Sequence, residues 1–187
     1  TPEQRASVAH RVCRRIALDV LSDREKAFAD EIMGILAEDS ADLVRRTLSV
    51  TLRNSPVLPR AIALKLAQDI EAVAIPVLQD SPVFTDEDLI ELVLAVTAAK
   101  QAAIANRETL SITLTEVISE HGAVEAVRAA SRNEGAEYSD KAFDDTLRRF
   151  GQDEIVQTGL IKREFIPTHI AEKMVSLVSG QLFDLLV

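Results

Sequence analysis

Apolar residues recur along this chain at helical spacing, and the breaks between apolar stretches fall at regular distances. Ser55-Pro56-Val57-Leu58-Pro59 and Ser81-Pro82-Val83-Phe84-Thr85 are near copies of one another. Three further breaks follow, at Glu108-Thr109-Leu110-Ser111, Ala136-Glu137-Tyr138-Ser139 and Glu164-Phe165-Ile166-Pro167. The apolar anchors Leu58, Phe84, Leu110, Tyr138 and Ile166 are therefore 26 or 28 residues apart. A fixed interval of this order predicts stacked helix pairs. After each anchor one helical face is mostly apolar, carrying Ile62, Leu66, Leu89, Leu92, Leu114, Ile118, Phe143, Leu147, Ile170 and Met174. The opposite face is mostly polar, as expected of a helix that buries one stripe. The exceptions on the stripe are Asp88, Thr115, Ser119, Thr146 and Gly122.

Start signals accompany the anchors. Thr85, Ser111 and Ser139 offer a side-chain oxygen to an otherwise unpaired first-turn amide. Pro59 and Pro167 supply a backbone angle already suited to a helix start. Ser22-Asp23-Arg24-Glu25 has the spacing of a capping box and opens an earlier helix, Asp23 to Ala37. A second helical segment precedes each anchor, the five running 41–53, 70–79, 98–106, 123–132 and 153–162, with Pro76 expected to kink the second. The pattern predicts an all-α chain, a right-handed α-solenoid of short helix pairs. Residues 1–187 are expected to form one domain, with N-terminal helices over 1–38 and five helix-pair repeats over 39–187.

Asp39-Ser40-Ala41-Asp42-Leu43-Val44-Arg45-Arg46, with Leu48 and Leu52 after it, resembles the first helix of a HEAT repeat. Gly122-Ala123-Val124-Glu125-Ala126-Val127-Arg128 is a weaker echo. HEAT units usually run to about 40 residues, so these HEAT-like pairs must be short. Leu21-Ser22-Asp23-Arg24-Glu25, Val73-Ala74-Ile75-Pro76-Val77-Leu78-Gln79-Asp80-Ser81-Pro82 and Thr85-Asp86-Glu87-Asp88-Leu89-Ile90-Glu91 are similar to an alphaproteobacterial family of HEAT-like proteins of unknown function. That resemblance implies a bacterial cytoplasmic source and a non-enzymatic default, and it supplies no catalytic residue. Similar proteins are often longer and this chain lacks an initiator Met, so a fragment of a longer chain is expected.

Composition narrows the function classes. The 187 residues include 21 Lys and Arg against 30 Asp and Glu, for a net charge of −9. Residues 1–65 carry a net charge of +2 and the remainder −11. An acidic chain with 4% aromatics lacks both the cationic footprint and the stacking platforms of a nucleic-acid binder. One cysteine excludes an internal disulfide, and no uncharged apolar stretch approaches the roughly 20 residues of a membrane span. We therefore expect no nucleic-acid partner and no membrane insertion.

Catalytic chemistry is thin. Asp86, Glu87, Asp88 and Glu91 form the densest acidic cluster, but carboxylates at a helix start complement its dipole, and Asp88 sits where a capping box needs an acceptor. His10 and Cys13 lie one turn apart, yet a transition-metal site needs two more ligands, and His121 and His169 are distant in sequence. No nucleophile elbow and no phosphate-binding loop is present. No catalytic residue, metal or cofactor is expected.

The clearest functional signal is a ladder of carboxylates on the second helices. In solenoids those helices line the concave surface. Here they carry Glu87, Glu91, Glu116, Glu120, Asp144 and Asp145, with Glu172 beyond them, and with Leu64, Ile90, Leu94 and Val117 as apolar anchors. Lys65, Lys141, Arg148 and Lys173 are placed toward the two ends. The expected function is a non-catalytic protein–protein interaction module, a scaffold or regulator, taking a basic partner on this acidic face. The alternative is a small-ligand or metal-responsive sensor or enzyme with a pocket between repeats. The apolar run Gln181 to Val187 is expected either to be covered by a continuing chain or to form a homodimer surface, while Val8, Val12, Ile16 and Val20 near the start read first as core against the helix from Asp23 and second as such a surface.

Overall fold

Ala-, Leu- and Glu-rich stretches punctuated by Ser, Thr, Asp and Pro leave little for the backbone to do but coil and stop. The computed structural model describes the backbone of residues 1–18 and 21–186 and the side chains of residues 1–18 and 21–177. Val20 and the side chains of the run Gln181 to Val187, on which the expected terminal association partly rests, lie outside the described residues. The described residues form α1 (Pro2–Leu18), α2 (Asp23–Ala37), α3 (Asp42–Leu52), α4 (Arg60–Gln68), α5 (Glu71–Asp80) and α6 (Asp86–Ala95). They continue with α7 (Ala98–Ala105), α8 (Ile112–His121), α9 (Val124–Arg132), α10 (Asp140–Phe150), α11 (Glu154–Ile161) and α12 (Thr168–Leu186). The chain is all-α: the described residues hold no strand, only a parallel bridge between Leu110 and Ala136.

Helix starts follow the side chains. Ser111 accepts the N–H of Leu114, and Ser139 accepts that of Ala142. Thr85 and Asp88 exchange bonds in a reciprocal box, the Thr85 N–H donating to Asp88 Oδ2 at 3.0 Å. Ser22 and Glu25 do the same at α2. Pro76 does not end α5, which runs through it from Glu71 to Asp80.

Two compact units divide the chain, Thr1–Leu92 and Val93–Val187. In the first, α1 packs on α3 and α3 on α5, while α2 lies against α3 and α4, and α4 against α5. In the second, α7 packs on α9 and α9 on α11; α8 packs on α10 and α10 on α12. Each unit is thus built by layering alternate helices. The anchors Leu58, Phe84 and Leu110 are buried, as are Leu48, Leu66, Leu114, Ile118 and Phe143. The polar exceptions on the predicted stripe are buried too: Asp88, Thr115, Ser119 and Thr146. Ser119 and Thr146 satisfy one another at 3.0 Å, which is how hydroxyls are tolerated in a core.

A repeated ion pair ties successive layers. Arg5 on α1 reaches Asp39, Arg45 on α3 reaches Asp69, and Arg128 on α9 reaches Asp153. Each carboxylate also receives an amide at the start of the next helix: Ala41, Ile70, or Ile155 and Val156. The arginine beside it holds the Asp39 carboxyl down to about 2, and the Asp153 carboxyl below its ordinary range. On α7, Gln101 takes this place with a neutral amide, accepting from the Ala123 N–H at 2.8 Å. Arg45 and Arg128 are the arginines of the strings Val44-Arg45 and Val127-Arg128.

Candidate functional site

The face of α6 opposite its buried residues is the most open part of the expected ladder. Asp88, Leu89, Leu92 and Val93 point inward. Glu87, Ile90, Glu91 and Leu94 then share the other side, since positions 0, 3, 4 and 7 of a helix are neighbours. Glu87 and Glu91 are exposed, Ile90 is half-buried, and Leu94 is 59% exposed. A leucine left so open at the end of a short helix, beside two carboxylates, makes a mixed acidic and apolar stripe.

Its electrostatics are local. Arg60, at the start of α4, pairs with Asp88, and its charge also acts on Glu87 and Glu91 of the stripe. That guanidinium, against desolvation, holds the Asp88 carboxyl below its ordinary range. The Glu87 carboxyl is also lowered, first by its own backbone N–H and then by the Thr85 hydroxyl, so it stays ionised at neutral pH. Leu64 on α4 is half-buried.

The second unit holds the rest of the ladder in a different state. Lys141 donates to both Glu120 and Asp145, Arg148 donates to Asp145, and Lys173 reaches Asp144. Glu116 accepts from the Ser139 hydroxyl. The two carboxylates, Glu120 foremost, push the Lys141 ammonium up to about 12. Lys141, Arg148 and Lys173, placed toward the ends by the sequence, sit among the acids and cancel much of their charge. Val117, between Glu116 and Glu120 in sequence, is half-buried.

Sequence periodicity missed one feature of the second unit. Arg163 lies 4.4 Å from the Tyr138 ring centroid and donates to the carbonyls of Asn133 and Ala136. Beside it opens a cavity of about 660 Å³ lined in part by Ile112, Tyr138, Phe143, Arg132 and Phe165. Arg132, Lys162 and Arg163 there face Glu134, Glu137 and Glu164, so the cavity favours neither sign of ligand. Burial pushes the Tyr138 hydroxyl up to about 12, which keeps it protonated. Nothing local in the sequence marks Arg163, because its carbonyl partners lie 27 and 30 residues earlier.

Metal and thiol chemistry find no support among the described residues. They contain no group of three metal-ligating side chains. His10 is bonded to Thr51 at 3.2 Å, whereas Cys13 is buried and its thiol is pushed up to about 11 by desolvation. That thiol is a core residue and a poor nucleophile. Among the described residues, no helix is long and apolar enough to cross a membrane.

A family model described as an uncharacterised protein conserved in bacteria (DUF2336) matches residues 73–187. No curated protein and no solved structure matches the chain. The matched span includes all of α6 and the whole second unit.

Proposed function

The chain belongs to the DUF2336 family of uncharacterised bacterial proteins, and from that premise we propose that it is a non-catalytic protein–protein interaction module, a cytoplasmic scaffold or regulator. We read its layered helices as short HEAT-like pairs of a right-handed α-solenoid, in an alphaproteobacterial branch of the family. The partner presents a basic segment with apolar residues at helical spacing.

The observation that supports this reading best is the α6 stripe of Glu87, Ile90, Glu91 and Leu94. Carboxylates at i and i+4 attract Lys or Arg and accelerate encounter, and the adjoining Ile90 and Leu94 offer apolar surface to desolvate. The acids of α8 and α10 contribute less, because their own lysines and arginines already engage them. Exposed pairs of that kind contribute little to stability, but they compete with an incoming cation.

The test is fluorescence anisotropy with a helical peptide carrying Lys and Leu at i, i+3, i+4 and i+7. Wild-type chain is expected to bind it, more weakly as salt rises. Glu87→Lys with Glu91→Lys is expected to weaken binding at least about tenfold. The matched reversal Glu120→Lys with Asp144→Lys is expected to matter less. Equal losses from both pairs would refute the assignment to α6. The competing reading, a small-ligand pocket, rests on the cavity beside Tyr138, and it gains if small acids or bases raise the melting temperature while the peptide does not bind.

A further inference from the structure

The chain carries its own candidate for the segment that α6 is built to receive. On α1 the buried residues Ala6, Ala9, Cys13 and Ile16 define one face. The opposite face presents Val8, Arg11, Arg14, Arg15 and Leu18, with Leu18 75% exposed. Arg11 and Arg14 form no ion pair among the described residues, and Glu3 is the one carboxylate of the described α1. The α1 stripe runs about three turns, from Val8 to Leu18, and the α6 stripe about two, from Glu87 to Leu94, with charged residues inside or beside apolar ones. Their signs are opposite.

We infer that the chain self-associates head to tail, the basic and apolar face of α1 in one copy docking on the acidic and apolar face of α6 in the next. This rests on the reading of α6 as a docking face and names its occupant as a second copy. With the two helices parallel, Arg11 and Arg14 meet Glu87 and Glu91, and Leu18 covers Leu94. Two different faces of one chain are used, so the interface is heterologous and grows into a ring or an open chain of copies rather than stopping at a symmetric pair. Arg60 is a nearby cation that opposes docking: it pairs with Asp88, and its charge also reaches Glu87 and Glu91.

Analytical ultracentrifugation with charge reversal on each side tests this. Wild-type chain is expected to form larger species as concentration rises at low salt and to return to monomer at about 0.5 M salt, where screening is nearly complete. The variant Arg11→Glu with Arg14→Glu has two acidic faces, and the variant Glu87→Lys with Glu91→Lys has two basic ones. Each alone is expected to stay monomeric, and their equimolar mixture to associate. All four positions are solvent-exposed, and unchanged circular dichroism melts confirm that both variants fold. The control mixes the α1 variant with a chain that carries Glu134→Lys and Glu137→Lys in addition to Arg11→Glu and Arg14→Glu, which has a new basic patch but no basic α1 face and should not restore association. A wild-type chain that stays monomeric at low salt overturns the inference, and peptide binding to α6 in that sample shows that the docking reading survives it. Association unchanged in either variant, or restored by the control mixture, also overturns it.

Discussion

Replacing Phe143 with alanine is expected to lower stability by about 3–5 kcal/mol, the range found when a buried aromatic is removed and its cavity does not collapse. Phe143 is 2% exposed on α10, and its ring centroid lies 4.9 Å from that of Tyr138. It therefore supports the Tyr138 ring, on which Arg163 rests. A unit of this size loses about 4–8 °C of melting temperature per kcal/mol, so the drop is on the order of 20 °C. Phe165→Ala is the control. Its ring is 75% exposed, and the change should stay within about 0.5 kcal/mol. Thermal circular dichroism on both variants checks the contrast, and equal shifts would mean that the second unit is packed otherwise.

Gly135→Ala is the second large effect, and its cause is backbone rather than side chain. A Cβ at Gly135 would stand 1.9 Å from the Glu108 carbonyl oxygen. The contact arises because this loop is bonded to the preceding one. The Leu110 N–H donates to the Gly135 carbonyl, the Glu137 N–H donates to that of Leu110, and Asn133 donates to the carbonyls of Ala105 and Arg107. Arg163 then holds the same loop from the following repeat. No flexible atom can yield, so the loops must separate, at a cost of roughly 2–3 kcal/mol by analogy with overpacked cores. Gly34→Ala should do the opposite. Gly34 lies within α2 with nothing within 4 Å of a new Cβ, and alanine there gains about 0.5–1 kcal/mol of helix preference. Chemical denaturation of the two variants should give shifts of opposite sign.

What the sequence revealed was whatever is local. Leu58, Phe84 and Leu110 recur at a fixed interval with apolar stripes after them, and all three are buried. Helical phase even assigned Asp88, Ser119 and Thr146 to a buried face against their polarity, because phase depends on spacing and not on residue type. Pairings across repeats were hidden. Nothing near Arg45 announces Asp69, 24 residues on, and nothing near Arg163 announces the Ala136 carbonyl. The carboxylates were similarly legible as exposed but not as paired. Lys141 looked like an end residue until α10 brought it between Glu120 and Asp145. The outward turn of Phe28, Ile32 and Ile35 on α2 was not foreseen either, since Ala29, Met33 and Ala37 fill the inner face of that helix with less volume.

Amide chemical-shift mapping of the ¹⁵N-labelled chain, titrated with the Lys and Leu peptide, tests the assignment of α6 as the docking face most directly. The account predicts that the largest shifts fall between Asp86 and Ala95 and fade in Glu87→Lys with Glu91→Lys. Shifts centred instead on the residues around Tyr138 and Arg163, or none at saturating peptide, would contradict it.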